Sequence, residues 1–435
     1  MTERELIKDI KKEKRQKTID VIGWVENKRD LGKLIILTLR DCSDKIIAIA
    51  KINVMRKETF LKLKKIKEES CIRINGVYNP HKKEIDIRDI SCISLAEKVL
   101  SPKIGYSFKV FEEKYINNIL KNRHVYIRNE KIASVLKLRS YFIQILHDFF
   151  HNNNFIEFTA PILTPITLYG EQSAFSVDFY GKKLYLTQCT AFYLETALPV
   201  FEKVYLISPS FRREKSRSRR HLSEFWHLKA EISFCNLNDI IKFVEEMLYF
   251  ASKKLLGVGK KEIENLGCKI KISEFKPPYK KITYDKALSI LNKKGFDLNW
   301  GKSLGSDEER FLGNIFKKPF WIKFLPRNIE PFPYKINPSD ERTTLTADLI
   351  VPYAGEILGV AEKIYTKEEL ERRIKEDSVP HPLEVYDWYL ELRELGMPPH
   401  SGFGMGIERT LRGLLKLKHV RDAIPYPRCV KQPYV

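Results

Sequence analysis

Val204-Tyr-Leu-Ile-Ser208 leads into Phe211-Arg-Arg-Glu-Lys-Ser-Arg-Ser-Arg-Arg-His221-Leu-Ser-Glu-Phe-Trp226, and His227-Leu-Lys-Ala-Glu-Ile-Ser233 leads out. An apolar run, a basic connection and a second strand-like run predict an antiparallel hairpin. Its loop carries Arg212, Arg213, Lys215, Arg217, Arg219 and Arg220. Guanidinium groups pair bidentately with phosphate, so the loop suits a triphosphate or an RNA end. A basic RNA-binding hairpin without catalysis would carry the same residues.

Working outward, a helix is predicted over Lys131–His151, where Ile132, Val135, Leu138, Phe142, Ile145, Leu146 and Phe149 share one stripe. Strand-like segments follow at 155–160, 175–180 and 183–187, then a helix at Leu237–Leu256 and another near Tyr284–Lys294. Strands are expected near 345–351 and 356–361, helices at Thr366–Glu376 and His381–Leu395, and a Gly-rich strand-to-helix element at 401–416. Strands joined by hairpins, with helices kept apart from them, make an α+β domain on an antiparallel sheet, here 131–435. Residues 1–16 read as a basic arm. Residues 17–97 alternate apolar and polar positions at 18–25, 33–39, 46–50, 70–74 and 84–88, with one helical segment at Met55–Lys67. That pattern fits a small Greek-key barrel such as an OB-fold; an SH3-like barrel or a small sandwich would read similarly. Residues 98–130 read as a linker.

Lys+Arg is 77 against 56 Asp+Glu, a formal charge of +21 over 435 residues. Such an excess points to a polyanionic partner, nucleic acid first. With 43% hydrophobic and 31% charged residues, the chain is neither disordered nor fibrous. No apolar stretch reaches membrane-spanning length, and the charged N-terminus has no apolar run of a secretory leader. The seven cysteines are odd in number and form no C-x-x-C pair, which speaks against a disulfide framework or zinc site and for a cytoplasmic location.

Two further segments carry chemistry. In His400-Ser-Gly-Phe-Gly-Met-Gly-Ile-Glu-Arg409-Thr-Leu, glycines 402, 404 and 406 alternate along a strand, permitting close approach of a ligand, and a following helix points Arg409 back toward them. In Asp348-Leu-Ile-Val-Pro-Tyr-Ala-Gly-Glu356, two acids on adjacent strands have the character of a Mg²⁺ site on a nucleotide.

Together these segments resemble the signature of class II aminoacyl-tRNA synthetases. Motif 1 looks like the long helix followed by Phe155-Ile-Glu-Phe-Thr-Ala-Pro161, motif 2 like Phe211-Arg212-x-Glu214 through Phe225, and motif 3 like Gly404-x-Gly406-x-Glu408-Arg409. With an N-terminal OB-fold, the match is to the aspartyl/asparaginyl/lysyl subgroup. Arg219-Arg-His-Leu-Ser-Glu-Phe-Trp226 and Tyr193-Leu194-Glu195 are most similar to the archaeal asparaginyl type. An aspartyl enzyme, possibly non-discriminating, and a synthetase-like paralogue in amino-acid metabolism or RNA binding are the alternatives.

The resemblance implies ATP and Mg²⁺, asparagine, tRNA (that for asparagine) and a homodimer. It implies that Arg212 grips the α-phosphate and Arg409 the γ-phosphate, with His221 nearby. It implies Glu214 against adenine, Phe225 stacked on the ring, and Glu356 with Asp348 on the metal. Gln188, Glu195, Lys363 and Glu171 are the implied amino-acid contacts, Arg29 and Lys28 the tRNA contacts, and Pro161 a dimer-interface residue. Several positions depart from the family: Ala191-Phe192 stand where Gln-Leu is usual, Lys363 where arginine is, and Ile36 and Ile47 where Phe and Gln often contact the anticodon.

Overall fold

Alternating burial builds the N-terminal barrel. In this computed structural model, residues 4–98, 110–214, 218–377, 379 and 382–430 are described. Lys215 and Arg217 of the basic loop, His381 at an expected helix start and residues 99–109 of the expected linker lie outside them. Strands β1 (Lys17–Asp30), β2 (Leu34–Arg40), β3 (Lys45–Lys51), β4 (Cys71–Asn79) and β5 (Glu84–Ser94) close a barrel in the order β1-β2-β3-β5-β4. Every second residue, such as Val21, Ile35, Leu37, Ala48, Ile72 and Ile85, points into its core. The helix Lys57–Lys65 connects β3 to β4 and adds Phe60 and Leu63. This is the five-stranded arrangement expected of an OB-fold.

A second compact unit begins at Val110. Part of the expected linker is ordered within it: Ile116–Lys121 and Arg123–Tyr126 are short helices, and buried Arg123 donates to the carbonyls of Pro425 (2.7 Å) and Ile424 (3.1 Å).

The strands of this unit are β6 (Ile156–Glu157), β7 (Leu163–Thr164), β8 (Ser176–Phe179), β9 (Lys182–Leu186), β10 (Lys203–Phe211), β11 (Glu224–Ser233), β12 (Lys280–Thr283), β13 (Phe320–Lys323), β14 (Thr346–Val351), β15 (Gly355–Glu362) and β16 (His400–Gly406). Eight of them form one sheet in the order β12-β13-β14-β15-β16-β11-β10-β6; β7, β9 and β8 form a small second one. The large sheet is antiparallel from β13 to β10 but parallel at both edges, where β12 meets β13 and β6 meets β10. The expected antiparallel sheet is thus found in the body, with parallel pairing added at its two edges. Helices Tyr284–Asn292 and Ser306–Phe316 lie between β12 and β13, and a parallel pair needs such a crossover.

One sheet face is apolar. Leu228, Ala230, Ile232, Leu349, Leu358, Val360, Phe403 and Met405 pack there against Phe142 and Leu146 of the helix Glu130–Asn152, and Val244 and Met247 of the helix Leu237–Val258. The opposite face is left for polar residues, and it forms the floor of the cavities described next.

Candidate active site

Side chains alternate across β11, so Leu228, Ala230 and Ile232 enter the core while His227, Lys229 and Glu231 rise from the other face. Their cross-strand partners on β16 are Gly406, Gly404 and Gly402. A Cβ on Gly404 would lie 2.3 Å from Lys229 Nζ, and one on Gly402 2.0 Å from Glu231 Oε2. Glycines 402 and 404 thus make room for long polar side chains from the neighbouring strand, and glycines 402, 404 and 406 all line the cavities described below. At Gly406 the nearest side chain is that of Arg409, 3.6 Å from the built Cβ.

Motif 3 is anchored from behind. Buried Glu408, in the first turn of the helix Ile407–Leu415, accepts from Arg139 Nη2 (2.9 Å) on the long helix and from the Trp226 backbone N–H (3.0 Å). Arg409 is thereby aimed over the floor. Its Nη1 meets Glu356 Oε2 at 3.2 Å and its Nε donates to the Arg220 carbonyl at 3.1 Å.

Arg212, Glu214, His221, Phe225, Glu356 and Arg409 all line one cavity of about 440 Å³. Arg212 lies with its guanidinium 4.2 Å from the Tyr169 ring centroid and 6.0 Å from that of Phe225. Its Nε is buried with no hydrogen-bond partner. His221 is held neutral: burial, then the charges of Arg409, Arg220 and Arg212, pull its pKa down to about 4.

A second cavity, about 240 Å³, shares Arg212 and Glu356 and adds Asp348, Glu309 and Glu330. Burial, then Glu356, Glu330 and Glu309, push the Asp348 carboxyl well above the carboxylate range. Burial and Glu356 push Glu330 up to about 8. Burial opposes the Glu356 charge as well, but Arg409, Arg212 and Arg220 outweigh it. Asp348 and Glu330 are thus driven toward holding protons that a cation could replace, and this donor set fits a divalent cation bound by one or two carboxylates. Glu309 is also structural, since it ion-pairs with Arg220 and accepts from the Glu356 backbone N–H at 2.7 Å.

The third site is a small pocket lined by Ala191, Glu195, Lys229, Glu231, Tyr334 and Lys363. Lys363 Nζ is 3.6 Å from both Glu195 Oε1 and Glu231 Oε1. Burial works against its charge, but the two carboxylates prevail and hold its pKa above the usual lysine value. Glu195 Oε2 accepts from Arg393 Nη2 (2.6 Å) and Tyr389 Oη (2.5 Å), with His400 Nε2 3.3 Å away. By contrast, Glu231 Oε2 is buried and has no hydrogen-bond partner. Ligand atoms of Glu195, Glu231 and His400 lie within 4.8 Å of one another, close enough for a metal ion. The Lys363 ammonium and the Arg393 guanidinium already supply the cations there.

Other expected residues lie apart from these cavities. Glu171 sits exposed on a helical turn, 2.5 Å from Lys183, and Gln188 is spent on the loop before it. Gln188 accepts from the Tyr169 N–H (3.0 Å) and donates to Ser173 Oγ (2.9 Å). Pro161 is exposed between β6 and β7. In the barrel, Lys28 Nζ is committed to the carbonyls of Lys64 (2.7 Å) and Ile66 (2.6 Å), whereas Arg29 is exposed. Glu231, Lys229, Glu309, Glu330 and Tyr169 were not singled out from sequence. The one signal available was that Lys229 and Glu231 share a strand face with motif 2.

Comparison with known proteins agrees with this geometry. Residues 116–430 match the family model "tRNA synthetases class II (D, K and N)", and residues 19–93 match "OB-fold nucleic acid binding domain". An asparagine–tRNA ligase of Pyrococcus abyssi is 34% identical over 441 residues, covering 100% of both chains. One from Desulforamulus reducens is 34% identical over 418 residues, 96% of each chain. Among solved structures, asparaginyl-tRNA synthetase from Pyrococcus horikoshii complexed with asparaginyl-adenylate superimposes with a TM-score of 0.93 at 34% identity, again over 100% of both chains.

Proposed function

We propose that this chain, which belongs to the class II tRNA synthetases (D, K and N), is an asparagine–tRNA ligase. The reading rests on one arrangement: Arg212 and Arg409 line a common cavity with Glu356, beside a pocket where Glu231 offers a free acceptor next to the Lys363 donor. A side-chain carboxamide has an N–H₂ for the first and a C=O for the second. A carboxylate would meet the Glu231 charge with no proton to share, so the pocket favours asparagine over aspartate.

The asparagine α-carboxylate attacks the α-phosphorus of ATP. A carboxyl O–P bond forms, the α–β bridging P–O bond breaks, and pyrophosphate leaves with the electron pair. The 3′-terminal hydroxyl of tRNA then attacks the adenylate carbonyl and AMP departs. No enzyme nucleophile is required; the chain positions two anions and neutralises the charge that develops. Arg212, bordering both nucleotide cavities, holds the α-phosphate; Arg409, braced by Glu408, holds the γ-phosphate. Phe225 supplies a face for adenine and Glu214 a polar contact to it. Neutral His221 adds a hydrogen bond without competing charge. Glu356 and Asp348 are the residues that would hold Mg²⁺, and the ion would supply positive charge to offset the charge that develops on the leaving pyrophosphate.

On the barrel, Arg29 is the better candidate for tRNA phosphate, since Lys28 is engaged internally. A homodimer is supported by the exposed apolar side chains Ile156, Ile162 and Leu163, which flank Pro161 in the chain, and by the short edge strand β6. Seven free cysteines support a reducing, cytoplasmic setting, and among the described residues no helix is long and apolar enough to cross a membrane. ATP–pyrophosphate exchange with each of the twenty amino acids, followed by charging of unfractionated tRNA, tests the reading. Exchange with asparagine alone is expected; exchange with aspartate alone, or with none, overturns it.

A further inference from the structure

Lys229 is more than nine-tenths buried on β11, yet among the described residues its ammonium makes no hydrogen bond or ion pair. Two other buried cations here are matched, Lys363 by two carboxylates and Arg393 by Glu195. The side chain is enclosed but its ammonium opens onto two cavities with no protein partner, a position suited to an anion that arrives from outside. Room is made for it, since a side chain at Gly404 would collide with Nζ. His227 adds no competing positive charge: burial, followed by Lys229 and Arg212, holds its pKa well below the ordinary histidine value.

The location says which anion. Lys229 lines the small pocket with Glu195, Glu231 and Lys363, and it also lines the neighbouring cavity with Arg212, Asp348 and Glu356. It therefore stands at the partition between the carboxamide-binding groups and the nucleotide-binding groups. Two anions must meet there before reaction, an α-carboxylate and an α-phosphate. We propose that Lys229 is a further catalytic residue: its ammonium contacts the attacking carboxylate and a non-bridging α-phosphate oxygen, facing Arg212 across the bond that forms. No proton moves; the lysine stays charged and offsets the repulsion between the two groups as the carboxyl O–P bond forms and pyrophosphate leaves. The proposal rests on the adenylation reading above.

The test is asparagine-dependent ATP–pyrophosphate exchange by wild type, Lys229→Met and Lys229→Arg, with asparaginol, which has an alcohol in place of the carboxylate, as competitive inhibitor. Lys229→Met should lower kcat about 10²-fold, the scale for one charge-stabilising donor. Lys229→Arg should recover at least tenfold of that loss. The inhibition constant of asparaginol should stay within twofold in both variants. A folded Lys229→Met enzyme with kcat within threefold of wild type overturns the proposal. So does a weakening of asparaginol equal to that of asparagine, which would put the ammonium on some other part of the amino acid. Where Lys229→Met does not fold, Lys229→Gln replaces it under the same criteria. Failure of the wild-type protein to use asparagine would instead sink the ligase reading.

Discussion

Replacing Gly402 by alanine tests how the floor of the pocket works. The new Cβ would lie 2.0 Å from Glu231 Oε2 and 2.2 Å from both Oε1 and Cδ, where ordinary contact begins near 3.4 Å. The whole carboxylate must therefore retreat by about 1.4 Å. It cannot do so freely, because Glu231 is only 1% exposed and Lys363 lies 3.6 Å away. Overpacking of this kind costs roughly 1–3 kcal/mol of stability. Its functional cost is larger: a shift of about 1 Å in a positioning group lowers rate about 10²-fold. Asparagine-dependent pyrophosphate exchange should show kcat/KM for asparagine falling by about that factor, with KM for ATP within twofold because Arg212 and Arg409 are untouched. A folded Gly402→Ala enzyme with wild-type kcat/KM for asparagine would refute the assignment of Glu231 to the amino-acid pocket.

Arg212→Ala should lower the exchange rate by about 10²-fold or more, and wild-type exchange in that variant would remove Arg212 from the reaction. His221 has a folded pKa of about 4, below its ordinary 6.5. As pH falls from 6.5 to 4 the unfolded chain takes a proton that the folded chain refuses, so this group's contribution to stability is lost across that window. Thermal melts of His221→Gln should decline less steeply than wild type between those two pH values, and parallel curves would contradict the neutral assignment. Arg29→Ala should raise KM for tRNA and flatten the salt dependence of charging while leaving exchange unchanged; an altered exchange rate would argue against a tRNA role. Light scattering on the eluting protein should give twice the 51.1 kDa chain mass, and a monomer would count against the homodimer.

The parts of this molecule legible from sequence were those with strong periodicity or ordered motifs. The barrel alternation, the long helix over 130–152 and the motif-bearing strands belong to that set. The stretch 258–340 was harder because its strands β12 and β13 are four residues each and embedded among lysines. A run as short as Phe320-Trp-Ile322 has no readable period. Glu309 and Glu330 carry no motif; their importance comes only from being folded beside Glu356. Glu231 and Lys229 look like the solvent side of an amphipathic strand, since alternation reports a face but not what covers it. Gln188 and Glu171 rest on family register alone, and the structure uses Gln188 to brace the loop 169–173 while Glu171, within that loop, faces outward to Lys183.

Each long polar side chain of β11 depends on an empty position in β16, some 170 residues away in the chain. Retuning this enzyme to another amino acid is therefore a two-locus problem. Shortening position 231 alone leaves a hole above Gly402, and enlarging 402 alone evicts the carboxylate. The two positions should drift together among descendants of this sequence, and a successful redesign must trade volume between them in a single move.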